Sequence, residues 1–76
     1  MEYRVLLKHK VKVHGDRFQV ELRKYRPDYY QLVNVYAQCE HDRGIPYTEL
    51  SEAIQSFEDA CGVRLSEQMK NYLKER

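Results

Sequence analysis

The start of the chain alternates between apolar and polar side chains. Odd positions from 3 to 13 are apolar apart from His9, and even positions are polar apart from Leu6. The even positions include four cations: Arg4, Lys8, Lys10 and Lys12. A period of two with β-branched residues predicts a half-buried β-strand.

Gly15-Asp16 interrupts this alternation and predicts a two-residue type II′ hairpin turn into a second strand. That turn sets a register. On the apolar face it pairs Val13 with Phe18, Val11 with Val20 and His9 with Leu22. On the other face it pairs Lys12 with Gln19, Lys10 with Glu21 and Lys8 with Arg23. The apolar residues of both strands therefore share one face.

The break at Arg26-Pro27-Asp28-Tyr29 predicts a turn, followed by a third strand over residues 29–39. Two registers are open. An even-numbered loop places Val33, Val35, Ala37 and Cys39 on the apolar face and turns Tyr30, Leu32, Asn34 and Tyr36 to the other face. The alternative buries Tyr30, Leu32 and Tyr36 instead. We favour the first because it keeps the β-branched residues together.

Residues 40–46 are polar with Gly and Pro, which predicts a loop. A helix follows, with Thr48 or a neighbour as N-cap and Gly62 just beyond its end. Its apolar stripe comprises Leu50, Ala53, Ile54, Phe57, Ala60 and Cys61. Ser66 caps a second short helix, whose inward residues are expected to be Met69, Tyr72 and Leu73.

These elements predict one α+β domain over residues 1–76. It has two layers: a three-stranded antiparallel β-meander followed by two short C-terminal helices packed on one sheet face. The helices can cover a single face. The other face is therefore expected to meet solvent or a partner.

Charge is distributed unevenly along the 76 residues, whose net charge is +1. Residues 1–26 hold eight cations and three anions, whereas residues 40–76 hold five cations and eight anions. Such asymmetry bears on partners rather than on fold.

No apolar run approaches the roughly 20 residues that span a bilayer, and no signal peptide is recognisable, so a cytoplasmic protein without membrane contact is expected. Cys39 and Cys61 are too few for a disulfide scaffold and predict buried free thiols, with a single bridge between them left open.

The uncovered face is the predicted partner-binding site. Its residues are Arg4, Lys8, Lys10, Lys12, Arg17, Arg23, Tyr25, Tyr30, Leu32 and Tyr36. Tyr and Arg are enriched at interface hot spots, which favours a small non-enzymatic module that binds a larger protein or complex. The alternative is a nucleic-acid-binding domain using the same face, since aromatic rings stack on bases and cations hold phosphates. Near-neutral net charge argues against it.

Other chemistry has weaker support in the sequence. Cys39-x-His41 is not a known zinc spacing, and His41-Asp42-Arg43 has nothing to orient it, so no metal, cofactor or catalytic residue is predicted. Strand 29–39 carries no charged residue between Tyr29 and Cys39, which predicts an edge able to extend a sheet through a second copy, as a homodimer, or through another protein. The element order resembles that of the small inhibitors carried by phages, anti-CRISPR proteins among them. That resemblance implies inhibition by binding and supplies no site residues.

Overall fold

Four antiparallel strands, in sequence order across the sheet, are followed by two helices. The computed structural model describes residues 2–44 and 46–75. The elements are β1 (Arg4–Val13), β2 (Asp16–Arg26), β3 (Tyr29–Val35), β4 (Glu40–Asp42), α1 (Leu50–Cys61) and α2 (Glu67–Lys74). The predicted α+β architecture, with its sheet first and its helices last, is confirmed, and a short fourth strand is added to it.

The β1–β2 hairpin turns one residue earlier than predicted. Val13 pairs with Asp16, and the turn residues His14 and Gly15 have φ of 50° and 88°. Two consecutive positive φ values belong to a type I′ turn, which matches the twist of the flanking strands. The register consequently moves by two residues, so Val11 pairs with Phe18 and Lys12 with Arg17. A two-residue move preserves the faces, so the predicted pairs are wrong but the predicted face of each residue between Leu7 and Val13 is right.

The face predicted for β3 is wrong. Arg26 pairs with Tyr29 across Pro27-Asp28, as an even-numbered loop requires, but Lys24 then pairs with Tyr30. Tyr25 is thus an extra residue in β2, and such a bulge shifts the following register by one. The shift turns Tyr30 and Leu32 to the helix side, where only 6% and 3% of their surfaces are exposed.

The core lies between this side of the sheet and α1. Val20, Leu22, Ala53, Ile54 and Phe57 are all buried there. Phe57 is the largest fully buried side chain among the described residues, which fits the predicted apolar stripe of α1. Gly62 ends the helix in the left-handed conformation with φ of 68°, as predicted. The N-cap is Glu49, the neighbour of Thr48.

The helix α2 joins the core through Leu73 alone among its own residues. Ser66 caps it as predicted, since the Ser66 Oγ accepts a hydrogen bond from the Met69 N–H at 3.1 Å. Met69 and Tyr72 are 41% and 51% exposed, so the prediction that they point inward is wrong. In the described part of the chain, neither helix has the length and apolar character needed to cross a membrane.

β3 is an interior strand rather than the predicted edge. It ends at Val35 instead of Cys39, and β4 pairs with its last three residues. Further along, the backbones of Tyr30 and Tyr47 exchange two hydrogen bonds of 2.8 Å. The outer side of β3 is therefore occupied, and the premise of a homodimer built on it fails. The two edges of the sheet are β1 and the short β4.

Candidate functional site

The ten residues predicted to form one uncovered face do not lie on one face. Tyr30 and Leu32 are in the core, and the Tyr36 ring lies on the helix side, with its centroid 5.2 Å from that of Phe18. Arg4 is exposed but pairs with Lys24, because a second register shift falls between Val5 and Leu7. Lys24 is on the helix side, so Arg4 is too. The predicted docking surface, as a single aromatic and basic patch, is absent.

Arg23 does lie on the predicted face, but it is 4% exposed and its charge is already paired. Its Nε donates to the Glu21 Oε1 at 2.8 Å, and its Nη2 and Nη1 donate to the two oxygens of Glu40 at 2.8 Å and 3.3 Å. The guanidinium carbon lies 4.2 Å from the centre of the Tyr3 ring. Two carboxylates and a ring face therefore satisfy this cation within the fold.

The electrostatics of this arrangement, the Arg23 network, agree with its geometry. The hydrogen bond to Glu40 raises the pKa of Arg23 above its usual value, with burial opposing and bonds to Tyr25 and Glu21 adding to the rise. The same bond lowers the pKa of Glu40 below its usual value. Arg23 is a structural residue here. The prediction that its surface is available to a partner is wrong.

Tyr25 lies at the end of the same face, in a cluster of rings. The centroid of its half-buried ring is 5.5 Å from that of Tyr3 and 5.7 Å from that of Tyr29. The Arg26 guanidinium stacks over Tyr29, with its carbon 5.0 Å from the ring centre. These rings pack mainly on one another at the bulge.

Four of the predicted residues do form one exposed surface, which we call the basic ribbon: Lys8, Lys10, Lys12 and Arg17. Lys8 pairs with Glu21, Lys10 with Gln19 and Lys12 with Arg17. Directly paired residues of antiparallel strands point to the same face, here the face opposite the helices. Across residues 2–44 and 46–75, none of these four cations has a hydrogen bond or an ion pair with the protein.

The length of the hairpin explains why Lys12 and Arg17 have no partner on a neighbouring strand. β1 and β2 have 10 and 11 residues, while β3 has only 7 and pairs with β2 from Gln19 onward. The tip of the hairpin, with Lys12 and Arg17, therefore continues beyond β3 and β4, whereas Lys8 and Lys10 lie on the edge strand in rows that β3 and β4 also join. Its other side is only partly covered: Val11 and Phe18 are half-buried and Val13 is 44% exposed.

A cysteine and a histidine lie close together at the start of β4. The Cys39 Sγ lies 3.4 Å from the His41 Nε2, and both side chains are exposed. The prediction of a buried thiol is wrong for Cys39, whereas Cys61 is half-buried and burial raises the pKa of its thiol. Both thiols are free. No set of three or more potential metal ligands converges anywhere in the described ranges.

No protein-family model, curated protein or solved structure matches this chain. The molecule itself defines a class: a small α+β domain whose helices cover one side of a four-stranded sheet. Within that class its distinguishing feature is the basic ribbon, whose three lysines lie on the edge strand β1 and whose Lys12 and Arg17 lie at the two-stranded end of the hairpin.

Proposed function

We propose that this protein is a small non-enzymatic binding module that engages an acidic surface of a protein partner through the basic ribbon. The observation that carries the proposal is a set of exposed cations on one face, without an ion pair to the described parts of the chain. Isolated surface lysines are ordinary. Here four cations occupy three successive paired rows of β1 and β2, and the carboxylate in those rows, Glu21, is bonded to Arg23.

The pairing of Lys12 with Arg17 supports an anionic partner. Like charges directly opposite each other in a sheet are destabilising by up to about 1 kcal/mol. A carboxylate placed between them would relieve this repulsion and gain charge-assisted hydrogen bonds. Relief of this repulsion therefore makes the free energy of binding an anionic partner more favourable.

The reverse side of the ribbon favours protein over nucleic acid. Val13 is 44% exposed there, beside the half-buried Val11 and Phe18. A protein partner can bury such apolar area in addition to pairing with the lysines. A nucleic acid would use the cations of the ribbon and leave this apolar area uncovered.

The proposal is tested with labelled poly-glutamate, whose binding is followed by fluorescence anisotropy at low and at physiological salt. The double variant K10E/R17E should bind at least about tenfold more weakly than wild type, since two ion pairs become repulsions. The matched control is R64E/K74E, which makes the same change in net charge at two exposed cations outside the ribbon. It should bind as wild type does. Equal losses in both variants would show a response to net charge only and would overturn the proposal.

Nucleic acid is the second candidate, favoured by the two-stranded end of the hairpin, which carries Lys12 and Arg17. The major groove of B-DNA admits a two-stranded β-ribbon, and phosphates would pair with its cations. A duplex oligonucleotide should be titrated beside poly-glutamate over a range of salt. Tighter binding to the duplex, with a steep loss on raising salt, would assign the ribbon to nucleic acid.

A further inference from the structure

The outer edge of β1 presents free backbone groups, because within the described chain β1 pairs with β2 alone. Which residues present them follows from the turn. A two-residue type I′ turn is closed by a hydrogen-bonded pair, here Val13 with Asp16. Hydrogen-bonded and non-hydrogen-bonded pairs then alternate along the hairpin. Lys12, Lys10 and Lys8 fall in the non-hydrogen-bonded pairs, so their N–H and C=O groups point away from β2.

The residues with outward backbone groups are thus the residues that carry the lysine side chains. Side chains two residues apart in a strand repeat about every 7 Å. A strand added at this edge would place every second side chain beside a lysine, on the face opposite the helices. Its remaining side chains would lie beside Val11 and Val13, of which Val13 is 44% exposed.

We infer that the partner contributes an extended acidic segment, with Asp or Glu at every second position, which adds to β1 as a fifth strand. This inference rests on the proposed function and names the partner segment it requires. Main-chain hydrogen bonds to the three lysine residues would provide affinity, and the lysine side chains would select the acidic pattern.

Lysines on an edge strand commonly prevent unwanted pairing, and here the same lysines make the edge selective. Two β1 edges brought together would place rows of lysines against each other, so self-pairing at this edge is opposed. A neutral strand would gain no charge-assisted contact with the lysines. An alternating acidic strand avoids the repulsion and gains these contacts. The lysines that oppose pairing with other strands therefore also recognise this one.

The inference is tested with two synthetic peptides of identical composition. One alternates Glu and Val, and the other groups its Glu residues in a block. The alternating peptide should bind at least about tenfold more tightly, because only it can pair along the edge with its carboxylates on one face. In hydrogen exchange followed by NMR, it should also slow exchange at the amides of Lys8, Lys10 and Lys12. A ligand that contacts side chains only leaves those amides exposed.

Lys10→Pro and Lys10→Ala form a matched pair of variants. Both remove the charge, but only proline removes the outward N–H, and proline is tolerated at an edge position whose N–H faces solvent. Lys10→Pro should bind the alternating peptide about tenfold more weakly than Lys10→Ala. If Lys10→Pro fails to fold, amide exchange in the wild type with the alternating peptide still shows whether a strand is added.

Each outcome has a definite meaning. Equal affinity for the two peptides, with unchanged amide exchange, overturns the added strand and leaves the proposed function standing. Preference for a duplex oligonucleotide assigns the ribbon to nucleic acid and also overturns the added strand. A concentration-dependent mass in sedimentation without peptide assigns the ribbon to a second copy and overturns the added strand as well. Failure to bind either peptide, poly-glutamate or the duplex overturns the proposed function itself.

Discussion

Arg23 and the basic ribbon lie on the same face of the same sheet, yet their charges are in opposite situations. Arg23 is buried, bonded to Glu21 and Glu40, and stacked on Tyr3. The four cations of the ribbon are exposed and unpaired with the described residues. Arg23 is on the interior strand β2, whereas three of the four ribbon cations are on the edge strand β1. Arg23 faces β3 and β4, whereas Arg17 lies beyond the end of both.

The comparison separates a charge that holds the fold from charges that the fold leaves available. A buried cation needs its partners, because the cost of removing it from water is recovered only by close ion pairs and hydrogen bonds. An exposed cation needs none, and its removal costs little. Sequence alone makes these residues look equivalent, since all are basic residues on the polar side of a strand.

Removing the buried charge should give the largest effect. Arg23→Met leaves Glu21, whose side chain is 12% exposed, without its main counterion. Breaking a buried pair on one side typically costs about 3–5 kcal/mol, a large fraction of the stability of so small a domain. Urea denaturation should show this loss for Arg23→Met, against less than about 0.5 kcal/mol for the matched Lys10→Met.

The double variant R23M/E21Q distinguishes charge from packing. Removing both members of the pair should restore part of the lost stability, because no unpaired carboxylate remains. A double variant as unstable as Arg23→Met would mean that Arg23 acts through its side-chain volume. Equal losses in Arg23→Met and Lys10→Met would end the distinction between the two regions.

The pH dependence of the free energy of unfolding should reveal the contribution of Glu40, the exposed member of the Arg23 network. The pKa of Glu40 is lowered from its usual value of 4.5 by the hydrogen bond from Arg23. A carboxyl whose pKa is lowered on folding stabilises the protein fully above its unfolded pKa. That stabilisation is lost as pH falls from about 4.5 through the folded pKa.

Glu40→Gln is the variant for this test. It should be less stable than wild type at neutral pH, and its stability should fall less steeply below pH 4.5. Thermal unfolding of both proteins between pH 3 and 7 measures the difference. Parallel curves for the two proteins over this range would show that the bond between Glu40 and Arg23 does not form in solution.

The same comparison shows what the sequence can predict. Alternation fixed the faces of the hairpin residues between Leu7 and Val13 even though the turn was misplaced, because a shift of two residues changes pairs and not faces. His14-Gly15 was the available signal, since His is among the residues enriched at positive φ. The lysine part of the site was therefore predictable.

The aromatic part of the site was not predictable in this way, because it depends on one extra residue. Nothing in the sequence around Tyr25 indicates a bulge. This extra residue nevertheless exchanges the two faces of the sheet on which the β3 side chains lie. The larger size of Tyr30 and Leu32 relative to Val33 and Val35 was the only hint of the correct register. β4 is harder still, because Glu40-His41-Asp42 is entirely polar and exposed. Its Glu40 bonds Arg23, a tertiary contact with no sequence pattern.

A smaller effect is expected at the turn that shapes the ribbon. His14 adopts φ of 50°, a conformation that costs most L-residues about 1–2 kcal/mol and Asn or Gly less. His14→Asn should therefore stabilise the protein by about 1 kcal/mol or less, without changing the pH dependence due to Glu40. Chemical denaturation measures the gain. Destabilisation would indicate that the His14 side chain makes contacts which the turn geometry does not require.

The smallest expected change is the most specific to the ribbon. Lys12→Glu replaces the repulsion between Lys12 and Arg17 by an attraction across the same pair. It should stabilise the folded protein by about 0.5 kcal/mol, measured by thermal or urea denaturation, while weakening the binding of poly-glutamate. Stability and binding would then move in opposite directions, as expected where charges are placed for a partner at some cost to the fold. The matched variant Lys10→Glu, opposite Gln19, should lose binding without the gain in stability. If Lys12→Glu destabilises the protein or leaves binding intact, the ribbon is an ordinary solvated surface, and its contrast with Arg23 has no functional meaning.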